Sequence, residues 1–243
     1  MWAGLAEPPN HNLWITLEAL LPLRPHWAYG HRMAWKIEHL GFAPNFVDYT
    51  EALEIQRRTH ADVVDGKKSS TFLVLEHSPV YTAGKRTQDH ERPRDGTEVI
   101  DIDRGGKITW HGPGQLVVYP IYRLNDQKEV RLFVDQIERA GIELLAEYGI
   151  NARQVEGRSG VWITDGSGPD RKILAIGIRI HNGVAMHGLA LNCSNELAGF
   201  ENIVPCGIPD AAATSISIET GSQTTPEQAA PRLLELLDKH ITA

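Results

Sequence analysis

The chain has 243 residues, 42% of them hydrophobic, a net charge of −7 and two cysteines. That length can bury a full core in one large or two small domains. The acidic balance gives no support to a nucleic-acid surface, and two cysteines cannot build a disulfide framework or a CxxC-type zinc site, so a reduced cytoplasmic setting is expected.

Residues 1–32 hold three of the six tryptophans (Trp2, Trp14 and Trp27) and show no periodicity. They read as an extension, either poorly packed or the product of a start assigned too far upstream, ahead of a domain over 33–243. The apolar stretch 13–23 carries Glu18 and Pro22. It falls short of the ~18 residues of a membrane span. It also lacks the basic leader and small-residue cleavage site of a secretory signal.

Residues 48–58 form a weak helical candidate. Residues 71–76 (TFLVLE) make a short apolar run closed by His77-Ser78-Pro79, and 98–103 (EVIDID) alternates with period two. Residues 107–111, 116–122 and 160–164 follow the same strand pattern, with turn residues between them. Residues 130–148 place Phe133, Ile137, Gly141, Leu144 and Tyr148 on one helical stripe, with Gly149 as the C′ residue. Two long strands within 172–193 are separated by His181-Asn182-Gly183, where Asn-Gly predicts a hairpin. Thr225-Pro226 opens a C-terminal helix with Leu233, Leu236, Leu237 and Ile241 inward. Locally paired strands with few helices predict an α+β fold: a mixed, largely antiparallel sheet with flanking helices.

Three segments could carry chemistry. Cys206 lies in IVPCGIPD, between a proline and a glycine and just before a helix-start signal. A thiol on such a turn is near backbone N–H groups and a helix dipole, which lower its pKa and favour the nucleophilic thiolate; the competing reading is a small buried hydrophobe. Cys193 lacks this frame and reads as packing. The stretch DRGGKITWHGPGQ (103–115) puts Arg104 and His111 at the ends of one short strand bracketed by glycine clusters. Glycines there allow close backbone approach to a ligand, although an ordinary hairpin would also contain them. It is neither a P-loop nor a dinucleotide fingerprint. Lys172 opens the strand KILAIGIRI, where strict alternation groups it with Leu174, Ile176 and Ile178. Taken alone it reads as a strand-end lysine reaching for water, with partial desolvation as the functional alternative. Ala175 and Gly177 leave room on the other face for a slender apolar ligand. HGLA at 187–190 repeats the pairing of a histidine with small residues. His77, His90 and His111 show no HExxH spacing, so no metal is expected.

Together LEHSPVYTAGKR (75–86), RGGKITWHGPGQLVVYP (104–120), GRSGVW (157–162), RKILAIGIRI, HGLALN and NIVPCGIPDAAATS resemble the lipoyl(octanoyl) transferase family. The resemblance runs from about residue 37 to the C-terminus. It implies a fold similar to the catalytic domains of biotin protein ligases and lipoate ligases. It implies Cys206 as the acyl-accepting nucleophile and Lys172 as its dyad partner. It also implies a substrate-binding wall made of Arg104, Gly105, Gly106, Lys107, Ile108, Thr109, Trp110 and His111, of Ala175, Ile176 and Gly177, and of Gly188, Leu189 and Ala190. The implied donor is octanoyl-acyl carrier protein. The implied acceptors are lipoyl domains of 2-oxoacid dehydrogenase complexes and the glycine cleavage H protein. No cofactor is expected, and the absence of an unexplained apolar stripe points to a monomer. An ATP-dependent lipoate or biotin protein ligase is the alternative on the same fold; the framed Cys206 argues against it, because adenylation needs no thiol nucleophile.

Overall fold

The computed structural model describes residues 35–126, 129–203 and 211–241. The extension over 1–32 and Cys206 both lie outside the described residues.

A mixed sheet of eight strands dominates. Its spine is β2 (Thr71–Leu75), β6 (Gln115–Ile121), β10 (Val184–Asn192) and β9 (Asp170–His181), all antiparallel neighbours. β8 (Arg158–Ile163) and β7 (Arg153–Val155) extend it beyond β9, again antiparallel. The two parallel pairings involve β1 (Lys36–Gly41) beside β2 and β11 (Ala211–Ala213) beside β9. A second, three-stranded sheet has the order β4 (Val99–Asp101), β3 (Val80–Ala83), β5 (Thr109–His111). The α+β expectation, with a largely antiparallel sheet and flanking helices, is met.

Alternation along the strands splits the core between two faces. Phe72, Val74, Leu116, Val118, Leu189 and Leu191 point to one side, against α2 (Val130–Glu147) and α5 (Pro226–Ile241), the latter preceded in the chain by the short helices α3 (Ala198–Glu201) and α4 (Ile216–Thr220). Phe133, Ile137 and Leu144 of α2 and Leu233, Leu236 and Leu237 of α5 are fully or almost fully buried there. Leu73, Leu75, Val117, Tyr119, Met186 and Ala190 point the other way, toward α1 (Tyr49–Val64). The helices begin and end where side-chain chemistry directs. Asp48 Oδ1 accepts the backbone N–H groups of Thr50 and Glu51 at 2.8 and 3.1 Å and so fixes the start of α1, which runs on to Val64, past the predicted 48–58. Pro226 occupies the first position of α5, and Gly149 follows α2 with φ +76°. In the β9–β10 hairpin Asn182 and Gly183 take φ of +49° and +76°, as a two-residue primed turn requires.

One sequence expectation fails for a local reason. β8 and β9 pair Val161 with Leu174 and Trp162 with Lys172, so Ile173 is an extra residue, a β-bulge. Ile173 and Leu174 both enter the α2/α5 core. The bulge resets the alternation, and Lys172 shares a face with Ala175 and Gly177 rather than with Leu174, Ile176 and Ile178. On β8 the irregularity is accommodated by Gly160, with φ +109°, where an added Cβ would lie 2.4 Å from the Leu174 carbonyl oxygen.

Candidate functional site

Lys172, Ala175 and Ala190 on the large sheet, and Ile108, Thr109 and His111 in and before β5, line a common cavity of about 360 Å³. Small residues make the space. Ala190 of β10 stands directly opposite Ala175 of β9, and Gly188 opposite Gly177, so the two central strands carry no bulky side chain at these positions.

Most of the predicted wall converges here. Besides the six residues just named, Arg104, Gly106, Lys107, Ile176 and Gly177 reach the cavity. Gly105, Trp110, Gly188 and Leu189 are not among its described lining residues. Gly105 donates its N–H to the Ile178 carbonyl, and Trp110 packs edge-on against Phe200. Leu189 belongs to the opposite core. An added Cβ on Gly188 would meet the Val118 carbonyl oxygen at 2.1 Å, so its small size serves strand approach. Gly177 is small for a similar reason: a Cβ there would lie 2.8 Å from Arg104 Cδ.

Arg104 is a strut. Its Nη1 donates to the carbonyls of Gly105 (3.0 Å) and Lys107 (2.7 Å), and its Nη2 donates to the Thr82 carbonyl (2.9 Å) and hydroxyl (3.1 Å). The residue is 8% exposed. A planar fork with several donors can satisfy that many carbonyls at once, which an ammonium cannot do with the same geometry. The preceding Asp103 pairs with Arg179 of β9 and accepts from His187 Nε2 of β10 at 3.0 Å. The loop carrying Arg104–Lys107 is therefore tied to both central strands. His187 holds φ +58° within its strand, and burial followed by the nearby Arg104 and Arg179 charges depresses its pKa to about 3, so it is neutral.

Lys172 Nζ sits 4.4 Å from the centroid of the Trp162 ring, its cross-strand neighbour. The Trp162 indole N–H donates to the Arg158 carbonyl at 3.1 Å, which fixes the ring. Behind this pair, Glu138 of α2 accepts the Gly160 N–H at 2.6 Å and a Gln154 amide N–H at 2.9 Å. Burial raises the Glu138 carboxyl, opposed in turn by those hydrogen bonds and by the Lys172 charge. A cleft lined by Trp162, Lys172, Asn192 and Ala211–Ala213 adjoins the cavity.

Cys193 is buried, and burial pushes its thiol up to about 12. It packs, as expected. Sequence reasoning did not single out Arg86, Arg158, Ser159 or Trp162 as site residues, yet the first three line the cavity and the last underlies Lys172. Three of them lie in the run GRSGVW, whose central glycine, Gly160, was the one sequence hint of an unusual backbone; the structure gives it φ +109°. Among the described residues, no cluster of three or more His, Cys, Asp or Glu side chains is arranged to hold a metal ion, and no helix is long and apolar enough to cross a membrane.

The chain is similar in sequence and in fold to known proteins. The family model described as the lipoyl protein ligase A/B catalytic domain matches residues 48–238. A protein named octanoyltransferase from Pseudarthrobacter chlorophenolicus is 53% identical over 212 residues, covering 87% of this chain and 96% of its own. Among solved structures, the bipartite lipoate protein ligase of Thermoplasma acidophilum superposes with a TM-score of 0.64 at 12% identity, covering 87% of this chain and 85% of that one. A mutant biotin protein ligase of Aquifex aeolicus, in complex with biotin, gives a TM-score of 0.51 at 15% identity, covering 86% and 71%. These two likenesses concern the fold.

Proposed function

The chain belongs to the lipoyl protein ligase A/B catalytic domain family and is an acyltransferase of the octanoyltransferase kind, and on that premise we propose that it moves an octanoyl group from acyl carrier protein to a lysine of a lipoyl domain through a thioester on Cys206. The acceptors in this reading are the lipoyl domains of 2-oxoacid dehydrogenase complexes and the glycine cleavage H protein, and the setting is the cytoplasm.

The observation that carries it is the position of Lys172. The bulge turns this lysine into a cavity walled by Ala175 and Ala190, on the face of Trp162. Lys172 is also in register with Ala213 in the parallel β9–β11 pair. Cys206 lies five residues before β11 in the sequence. Lys172 assists deprotonation of Cys206, the thiolate attacks the donor's thioester carbonyl, and the carrier's thiol leaves. A thiol replaces a thiol, so this exchange is nearly balanced. The acceptor amine then attacks the enzyme thioester. The amide product is more stable, so the second step runs downhill without ATP. Along the cavity wall each buried CH₂ of the acyl chain contributes roughly 0.8 kcal/mol, enough for a two-carbon change to alter binding about tenfold.

Intact mass after mixing the protein with octanoyl-acyl carrier protein, without acceptor, tests this reading. One octanoyl group, removable by hydroxylamine and absent in Cys206→Ala, is the expected result. A second reading draws on the cationic side chains at the cavity, Arg86, Lys107 and Arg158: an ATP-dependent ligase that adenylates a free acid. Transfer that requires ATP and free octanoate, with no adduct from the carrier, would favour it.

A further inference from the structure

A chain of buried side-chain hydrogen bonds runs from the cavity to β11. His111 Nδ1 lies 2.7 Å from Gln115 Oε1. Gln115 Nε2 lies 2.9 Å from Asn192 Oδ1 and 3.4 Å from the Trp110 carbonyl. Asn192 Nδ2 lies 2.8 Å from the Thr214 carbonyl, and the Thr214 N–H donates to the Lys172 carbonyl at 3.0 Å. Gln115 and Asn192 are 2% and 5% exposed, so water does not substitute for these partners.

The chain has one self-consistent direction. A backbone carbonyl can only accept, so Thr214 fixes Asn192 Nδ2 as donor and Asn192 Oδ1 as acceptor. Gln115 must then donate through Nε2, to Asn192 and to the Trp110 carbonyl, and accept through Oε1. His111 therefore carries its proton on Nδ1, and the lone pair on Nε2 is left for a partner outside the relay. His111 lines the cavity. Its ring lies parallel to the Tyr49 ring at 6.2 Å and tilted against His77 at 5.7 Å. Burial, then His77 and Arg104, oppose its protonation and bring its pKa to about 3.

The cavity around it is rich in basic side chains: Arg86, Arg104, Lys107, Arg158 and Lys172 line it, with Lys107 paired to Glu91 and Arg158 to Asp170. An acceptor lysine attacks as the neutral amine, and that amine needs a hydrogen-bond acceptor to aim its lone pair.

We infer that His111, locked as the Nδ1–H tautomer by Gln115 and Asn192, accepts a hydrogen bond through Nε2 from the attacking lysine amine and orients it for the second half-reaction. This rests on the acyl-enzyme reading above. The new C–N bond forms as the C–S bond of the thioester breaks, the proton lost from nitrogen ends on the departing sulfur, and His111 stays uncharged. Gln115 and Asn192 are positioning residues, since they act through His111.

The full-length protein labelled with ¹⁵N-histidine, together with pre-steady-state rates of each half-reaction, tests the inference. The signal lost in His111→Phe is expected to show a protonated Nδ1 and a bare Nε2 at pH 7. Gln115→Met should release that tautomer preference, and Gln115→Glu, which keeps an acceptor oxygen, should preserve it. His111→Phe should slow aminolysis about tenfold or more, the loss of one hydrogen bond in the transition state, and should slow it more than acylation. His111→Gln, whose amide oxygen reaches toward the Nε2 position, should recover part of the loss. An Nε2–H tautomer or an imidazolium at pH 7 overturns the inference. So does a His111→Phe enzyme that acylates slowly but deacylates at the wild-type rate, which would place the hydrogen bond on the donor. Failure of the wild type to form any acyl-enzyme brings down the underlying reading, and is visible before a variant is made.

Discussion

Lys172 and Trp162 are direct cross-strand partners, and the lysine's Nζ rests 4.4 Å from the centre of the indole. A cation over an aromatic face gains about 0.5–2 kcal/mol depending on desolvation. Trp162→Leu should therefore leave the lysine less well placed and slow acyl-enzyme formation by roughly twofold to thirtyfold. Trp162→Phe, which keeps a π-face, should lose less. Quench-flow acylation rates check this, and equal rates in all three proteins would remove the tryptophan from any role in placing Lys172.

Gly160 is required by conformation and by space. Its φ of +109° is unfavourable for any residue with a Cβ, and that atom would press on the Leu174 carbonyl oxygen. Gly160→Ala should cost about 2–3 kcal/mol in urea unfolding. Because the same contact sets the β8–β9 register, activity measured well below the unfolding transition should fall as well. A variant of wild-type stability would show that the bulge has another accommodation.

The two thiols should behave differently. Cys193 is fully buried, with a pKa near 12, and should resist alkylation at pH 8 until the protein unfolds. Cys193→Ala should retain acyl-enzyme formation, whereas Cys206→Ser should abolish turnover. Peptide mapping after brief iodoacetamide treatment reads this directly; rapid native labelling of Cys193 would contradict its burial.

Stability should fall on acidification through a range set by three histidines. Burial depresses His77 to about 4, and His111 and His187 to about 3, against an ordinary value of about 6.5. Above pH 6.5 both folded and unfolded forms are neutral. As the pH falls the unfolded chain takes up protons that the folded one refuses, so stability declines until the folded values are reached. Each of the three contributes a loss of about 2 kcal/mol between pH 7 and pH 5. Glu138, raised by burial, acts in the opposite sense, because the folded form holds its proton more readily. Urea midpoints at the two pH values test the balance, and a flat profile would contradict the neutral burial of the imidazoles.

Much of this architecture was legible in the chain. The Asn182-Gly183 turn, the α2 stripe ending at Gly149 and the Pro226 start of α5 each follow from local rules that the tertiary structure did not override. β1, β3, β7 and β11 carried little signal: three are only three or four residues long, and β1 mixes Lys36, Glu38 and His39 into an outer strand. Ile173 hid the facing of Lys172, because a bulge is a property of two paired strands and period-two counting sees one. Arg104 shows a different limit. Its proximity to the glycines was visible, but only coordinates reveal that its guanidinium is committed to the carbonyls of Thr82, Gly105 and Lys107.

The extra residue at Ile173 also separates two design variables. Upstream of it, β9 sets the direction of the lysine; downstream, Ala175 sets the clearance of the cavity. In an uninterrupted strand both would be locked to a single parity. Here the depth of the cavity can be retuned, for instance by enlarging Ala175 or its opposite number Ala190, while Lys172 Nζ keeps its seat on the indole. The size of the cavity and the placement of the lysine can therefore drift independently within one strand.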